Sequence, residues 1–373
     1  MPDSAARPRV LHVVSRIPYY GGEHLVDELC RTLATRGERI AVMTMYESPF
    51  PQTREPAYET IAIRRGGSAD AGFFFRMVGA IRRFRPDVVN THMHNGKYWG
   101  RLAAIAAGAR HIVHTEHNSA FASSPPTVLA NRLLHPATQR FVAFSRVHAG
   151  RLASAERIPA HKIAIVPNGI PVLPAPPGAR ERARAALGIA GAAAHAVLHV
   201  GRLYDVKNHR LSLRSFAVLG ARMPLARLFI VGGGDEEASL RALVRELRLD
   251  ERVTFLGFRD DVLALLPGAD ALVLTSTNEA MPMTVIEAMF AGVPVATTPW
   301  EGAAEMLEDG RLGCIARGWE PPDVAEALER ALCDAPAAEA RTFAARATAL
   351  DRYDIERTAD RYAALYREML AGG

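Results

Sequence analysis

Cysteine is scarce: Cys30, Cys314 and Cys333 are the only three in 373 residues. Their separation fits neither a disulfide framework nor the paired spacing of a zinc site, so a reducing, cytoplasmic setting is expected. Long apolar runs are missing as well. Candidates such as Val197–Val200 and Ala271–Leu274 are strand length, far short of the roughly 20 residues that span a bilayer. Met1 to Arg9 is polar and lacks the basic-then-apolar layout of a secretory signal. No Asp-x-Asp triplet or His-Glu-x-x-His occurs, which leaves a metal site without support. No short repeat, low-complexity block or nucleic-acid module is present, which excludes a solenoid and argues against a nucleic-acid partner.

What is present is a chain of two middling domains. Apolar residues make up 49% and charged residues 23%, enough for a full core in each half and ordinary for a water-exposed surface. The net charge is +5, unevenly spread. Arg64, Arg65, Arg76, Arg82, Arg83, Arg85, Lys97 and Arg101 stand against only Asp70 and Asp87, and Phe73-Phe74-Phe75 lies among them. Read as one basic face with an apolar cluster, this segment suits an anionic membrane surface; read plainly, it is a solvated helix face with core phenylalanines.

Strand and helix alternate throughout. Arg9–Ser15 reads as a buried strand, Gly21-Gly22 as a turn, and Leu25, Leu29 and Leu33 as a helical stripe that ends near Gly37. Ile40–Met45 is the next strand. Phe73–Phe84 and Gly100–Ala107 read as helices, Asp87–Thr91, His111–Thr115, Arg140–Ala143 and Lys162–Val166 as strands. After a Pro-rich linker at 174–178 the alternation restarts, with strands at Ala196–Val200, Leu228–Val231, Val253–Leu256, Ala271–Leu274 and Val293–Thr297. Helices are predicted at His209–Leu219, Glu236–Leu247, Asp260–Leu266, Met283–Phe290, Pro322–Leu332, Ala337–Leu350 and Ile355–Leu370. This is the pattern of two doubly wound parallel sheets, each binding ligands at the C-terminal ends of its strands.

The richest stretch is Ser276-Thr-Asn-Glu279-Ala-Met-Pro282-Met283-Thr284-Val-Ile-Glu287. Pro282 suits the first turn of a helix, whose free N–H groups and partial positive charge attract a phosphate. Glu279 in the preceding loop is placed to accept hydrogen bonds from sugar hydroxyls, and Glu287 inside the helix to accept a pair from a ribose. On spacing alone, a loop carboxylate capping the helix and an exposed helical Glu fit equally well.

Glu279-x7-Glu287, with Glu-Ala-Met and the Gly292-Val-Pro-Val tail, resembles the E-x7-E motif of retaining glycosyltransferases of the GT-B fold, family 4. Ala280, Met281 and Pro282 depart from that family's Gly-Phe-Gly, in the loop that lines the transferred hexose. Gly201-Arg202-x4-Lys207 resembles its phosphate-neutralising segment, with Asn208 in place of the usual Gly. Gly232-Gly233 resembles its strand-end glycine turn, and Phe258-Arg259 the base-binding loop. In the first half, Gly21-Gly22 resembles the glycine pair that lets backbone approach the donor phosphates. His117, followed by Asn118, resembles the strand-end histidine beside the transferred sugar and the acceptor. His92 and His94 suit either ordinary packing or an acceptor-side role.

The resemblance implies an α/β fold of two facing Rossmann-like domains, residues 1–172 on the acceptor side and 173–352 on the nucleotide-sugar side. Residues 353–373 are expected to form a helix that crosses back to the first domain. It implies a metal-independent, retaining hexosyltransferase with a nucleoside diphosphate sugar as donor substrate and no further cofactor. Glu279, Arg202, Lys207 and His117 are the catalytic candidates. Gly21, Gly22, Gly232, Gly233, Phe258, Arg259, Pro282, Met283, Thr284 and Glu287 are the donor-binding ones, with His92, His94 and Asn118 on the acceptor side. The expected acceptor is a lipid-linked or cell-envelope glycan hydroxyl, reached from the inner face of the plasma membrane. A sugar-nucleotide epimerase on a similar scaffold and a non-catalytic glycan- or nucleotide-binding subunit are the alternatives.

Overall fold

The computed structural model describes residues 7–17, 21–48, 54–67, 70, 72–117, 125–172, 174–189, 195–333 and 335–372. The chain divides into two compact units, one of Met1–Pro171 with Asp354–Gly373 and one of Val172–Tyr353.

The first unit carries β1 (Arg9–Val14), β2 (Arg39–Thr44), β3 (Glu59–Ala62), β4 (Val88–His92), β5 (His111–Thr115), β6 (Arg140–Ala143) and β7 (Ile163–Ile165). They lie in the order β3-β2-β1-β4-β5-β6-β7, all parallel. Parallel neighbours need crossovers. The helix Gly22–Thr35 supplies the one between β1 and β2, burying Leu25, Val26, Leu29 and Leu33 as the stripe predicts. β1 is a near-continuous apolar run, and β4 is buried throughout although it carries Asn90, Thr91 and His92, because both faces of each strand are covered.

The second unit repeats the scheme with β8 (Ala196–Val200), β9 (Arg227–Val231), β10 (Val253–Gly257), β11 (Ala271–Leu274), β12 (Val295–Thr297) and β13 (Cys314–Ile315). Their order is β10-β9-β8-β11-β12-β13, again parallel. In both sheets the winding reverses beside the first strand, between β1 and β4 and between β8 and β11. Crevices open at the C-terminal ends of strands at such reversals, so the two doubly wound, Rossmann-like sheets direct attention to the residues after Val14, His92, Val200 and Leu274.

Some elements were not foreseen. β3 is a short, mostly exposed edge strand. The helices Arg146–Ala155 and Ala179–Ala186 bury only His148 and Leu152, and only Ala183, so neither shows an apolar stripe. The helix expected from Gly100 starts earlier, as a π-helical turn Gly96–Gly100 continued by Arg101–Ala107. A Cβ on Gly96 would stand 3.0 Å from the carbonyl of Val13, and one on Gly100 3.0 Å from Thr91 Cγ2. The missing side chains let this turn rest on the ends of β1 and β4.

The C-terminal helix Ile355–Ala371 starts at Asp354, whose side chain accepts from the N–H of Glu356. It buries Tyr362 and Tyr366 in the first unit, where Asn90 Nδ2 donates to Tyr366 Oη at 2.9 Å and Thr115 Oγ1 donates to Asn90 Oδ1 at 3.0 Å. Gly169 leaves room for this docking, since a Cβ there would meet Thr358 Oγ1 at 2.4 Å.

The basic segment is not a single face. Lys97 and Arg101, four residues apart on the inner side of their helix, are buried. Lys97 Nζ donates to Glu116 Oε2 at 2.7 Å and also to Glu156, while Arg101 donates to Asn131, Thr138 and the Lys97 carbonyl. Two buried cations are tolerated because two buried carboxylates and several acceptors meet them. Of the phenylalanines, Phe73 is core and Phe75 is 72% exposed. Among the described residues, no helix is long and apolar enough to cross a membrane.

Candidate active site

In the second unit the loops after β8 and β11 are stitched together. Thr275 Oγ1 donates to the carbonyls of Lys207 (3.2 Å) and Asn208 (2.8 Å), and the N–H of Thr277 donates to that of Val206 at 2.9 Å. This framework brings Lys207 Nζ to 2.6 Å from Glu279 Oε1, which also accepts from Ser276 Oγ at 2.6 Å. Ser276 is itself held through its carbonyl by Thr298 Oγ1 at 2.8 Å. The two side chains are 22% and 11% exposed, so a ligand can still reach them. Glu279 Oε2 has no partner among the described residues. Arg202, from the same loop as Lys207, is exposed, with its guanidinium carbon 5.0 Å from the Tyr204 ring centre. Asn208 occupies the left-handed region at φ 48° and caps the helix His209–Gly220 by accepting from the N–H of Leu211. Asn tolerates that conformation and supplies the cap, which accounts for its replacing glycine.

The helix Met283–Ala291 follows. Pro282 is its N-cap residue with φ −70° and ψ 120°, one position before the first turn where the sequence suggested it. No side chain caps this helix end, so Glu279 is not a capping group. The N–H groups of Val285 and Ile286 turn back to the Pro282 carbonyl, leaving those of Met283 and Thr284 without an intrahelical partner. Thr284 Oγ1 is buried and likewise lacks a partner among the described residues. One turn in, Glu287 is half-buried and makes no ion pair or hydrogen bond with the described residues. Desolvation raises its carboxyl from 4.5 to about 7.

Gly232 is required by packing rather than by open space: its φ is 138°, and a Cβ would come 2.0 Å from the carbonyl oxygen of Gly201. A Cβ on Gly233 would meet nothing within 4 Å. The Gly233 carbonyl accepts from the N–H of Leu203 at 3.0 Å, tying this turn to the Arg202 loop. Phe258 is 48% exposed beyond β10. The Arg259 fork is occupied by Asp261, with contacts of 2.7 and 2.6 Å.

In the first unit Gly21 caps the helix Gly22–Thr35 with φ 52°, a conformation suited to glycine. A Cβ on Gly22 would lie 2.7 Å from His117 Nδ1, so the ring of His117 rests on the helix entry. His117 Nε2 lies 3.1 Å from His92 Nδ1, and His92 Nε2 lies 2.9 Å from His12 Nδ1. Burial lowers His12 and His117 to about 3 and His92 well below its ordinary value, so all three rings are neutral at physiological pH. His94 is separate: it is exposed and stacks edge-on with Tyr98. Asn118 lies outside the described residues.

A family model described as Glycosyltransferase Family 4 matches residues 19–172, and one described as Glycosyl transferases group 1 matches residues 194–334. The chain belongs to the family 4 glycosyltransferases of the GT-B fold. The 2-deoxystreptamine glucosyltransferase of Streptomyces kanamyceticus is 25% identical over 352 residues, 88% of this chain and 89% of that protein. Among solved structures, Anabaena HepE in complex with UDP and glucose has a TM-score of 0.82 at 21% identity, over 97% of this chain and all of that one. WaaG, a glycosyltransferase involved in lipopolysaccharide biosynthesis, has a TM-score of 0.74 at 20% identity, over 96% of this chain and 99% of that one. At these identities the structural likeness speaks to the fold.

For this family 4 glycosyltransferase, reading the sequence missed Ser276, Thr275 and His12. Thr275 matters through contacts across the sheet, and Ser276 through Glu279 in its own loop and the Thr298 hydroxyl across the sheet. His12 carried a signal, a polar residue in the otherwise apolar run Val10-Leu-His-Val-Val. Among the described residues, His24, Asp27 and Glu28 form the one group of possible metal ligands. Its carboxylates already accept from other side chains, Asp27 from Arg31 and Tyr58 and Glu28 from Arg54.

Stability depends on pH through Glu287. Its carboxyl holds a proton in the folded protein that the unfolded chain releases between pH 4.5 and about 7. This group's contribution to stability is therefore full below 4.5 and falls away as pH rises to about 7. Glu287→Gln is expected to raise unfolding stability at pH 8 by roughly 1–3 kcal/mol, discounted for partial solvent access, and by little at pH 5. Denaturant unfolding at the two pH values measures this; a wild type more stable than the variant at pH 8 contradicts it.

Proposed function

We propose that this glycosyltransferase moves a hexosyl unit from a nucleoside diphosphate sugar to an acceptor hydroxyl, with retention of anomeric configuration and without a metal. The observation that carries the reading is the 2.6 Å contact of Lys207 with Glu279 at the β8–β11 reversal, beside an uncapped helix end. Arg202, Lys207 and the free N–H groups of Met283 and Thr284 are the positive groups for the diphosphate, whose charge grows as the glycosidic bond breaks. Glu279 keeps Oε2 for a hydroxyl of the hexose. Glu287 accepts from the ribose, and two donated hydrogen bonds favour its ionised form. The UDP and glucose bound by HepE support this class of donor.

No carboxylate in this set is a free nucleophile in a negative pocket, which favours a front-face substitution. The acceptor oxygen bonds to the anomeric carbon on the face the diphosphate leaves. The electron pair of the broken C–O bond goes to the β-phosphate oxygen, and a phosphate oxygen takes the acceptor proton.

The acceptor we favour is a lipid-linked or cell-envelope glycan, reached by a protein held peripherally on an anionic membrane. On the helix Gly72–Phe84, Phe75, Arg76, Arg82 and Arg83 share an exposed face. Phe75 meets Phe74, Phe74 meets the half-exposed Trp99, and Leu102 follows one turn later. An apolar patch with arginines beside it suits insertion among anionic headgroups.

Two outcomes are expected. Glu279→Gln, assayed by nucleotide release with and without acceptors, is expected to lower turnover at least about 100-fold, as loss of a charged hydrogen-bonding group in the transition state does; near-normal turnover refutes the assignment. In flotation assays the protein is expected to bind phosphatidylglycerol vesicles at low salt and not phosphatidylcholine vesicles. Each of Arg82→Glu and Arg83→Glu should weaken binding about fivefold or more; no binding at low salt ends the membrane proposal.

A further inference from the structure

We infer that His12 and His92 are positioning residues that fix His117 as a hydrogen-bond donor through Nδ1, so that His117 is not a base in the transfer reaction. The inference rests on the glycosyltransferase reading, in which His117 meets the substrate.

The rings form a chain: His12 Nδ1 to His92 Nε2 at 2.9 Å, then His92 Nδ1 to His117 Nε2 at 3.1 Å. Each neutral imidazole carries one N–H, and each link needs one hydrogen. If His92 carries its hydrogen on Nδ1, it donates to His117, which must then carry its own on Nδ1. His12 must in turn donate from Nδ1. If His92 carries it on Nε2, every ring is forced to Nε2–H by the same count. The three tautomers are therefore one choice, and no mixed arrangement keeps both links.

The buried end makes the choice. His12 Nε2 is buried without a partner among the described residues, and the His12 and His92 rings lie within 11° of parallel with centres 5.1 Å apart, the near-coplanar arrangement an in-plane hydrogen bond requires. A hydrogen on Nε2 would be a buried donor with no acceptor, the more costly kind of orphan. The positive end of the helix Gly22–Thr35 beside His117 Nδ1 opposes this choice, but a terminal dipole near solvent is a weaker influence. The chain thus carries its hydrogens on Nδ1, and His117 Nδ1–H is its one outward-facing donor. Because His12 Nε2 has no outlet, a proton cannot pass along the chain, which makes it a lock rather than a wire. Further contacts hold the assembly. Phe144 packs edge-on against His117 at 5.2 Å and Tyr366 of the C-terminal helix against His12 at 6.2 Å. Met93, directly after His92, takes φ 59°, turning the chain sharply at the strand end.

Long-range proton–nitrogen NMR of the 15N-labelled wild type reads the tautomers with no variant and no turnover. Nδ1–H on His12, His92 and His117, unchanged from pH 5.5 to 8, is expected. Nε2–H on His117, or a mixed set, overturns the inference. In His12→Leu the first link is lost. His117 is expected to show both tautomers, and kcat to fall about tenfold, the worth of one hydrogen bond, with the KM for the nucleotide sugar within about twofold. In His12→Asn, Nδ2 falls where the histidine Nδ1 stands, and most of kcat should return. A His12→Leu protein with wild-type tautomer and turnover also overturns it. Absence of transfer with every donor would sink the functional reading, while the NMR result would stand or fall independently.

Discussion

The ion pair of Lys207 and Glu279 joins residues 72 positions apart and sits where the second sheet reverses its winding. It depends on β8 and β11 being neighbours, on Thr275 and Thr277 tying their loops together, and on Ser276 sharing the carboxylate. The pair joins the cation that we propose for a phosphate to the carboxylate that we propose for a sugar. In a partly desolvated pocket each charge needs a partner, and the pair provides it. In the proposed function, a sugar diphosphate offers both groups a new partner at once: phosphate oxygens for the ammonium and a hydroxyl for the second carboxylate oxygen. A ligand with only one of the two parts leaves half of the exchange undone.

Both units meet the cost of buried polarity by pairing charge or by neutralising it. The second pairs Lys207 with Glu279, protonates Glu287 and keeps the buried His199 and His209 neutral. The first places three histidines within β1, at the end of β4 and after β5 and keeps them neutral by burial. Beneath them lies the ion network of Lys97, Glu116 and Glu156, one residue from His117 along the chain. The C-terminal helix joins this arrangement through Tyr362 and Tyr366, which bond to Thr115 and Asn90. A segment distant in sequence thereby stiffens the strands that carry the histidines.

Much of this was legible in the residues. Alternating apolar runs and glycine turns specify parallel strands with crossovers, and both sheets wind as expected. Elements that bury one face weakly, such as β3 and Ala179–Ala186, leave no stripe to read. Lys97 and Arg101 look like surface charges until the helix is seen to turn them inward toward two glutamates. His12 looks like a misfit in an apolar strand, because its partners arrive from β4 and β5. Gly232 is a glycine for a reason that lies in another loop, the carbonyl of Gly201. In each case what was missing is the identity of the neighbour across the sheet, which periodicity along the chain does not encode.

In the proposed function, Lys207 exchanges Glu279 for the terminal phosphate of a nucleoside diphosphate. Calorimetric titration of UDP and UMP, or of another diphosphate and monophosphate pair if a different base is preferred, into wild type and Lys207→Ala tests it most directly. The substitution is expected to weaken UDP binding at least about tenfold, the worth of a charged hydrogen bond, and UMP binding less than about twofold. Equal losses for the two nucleotides would contradict it.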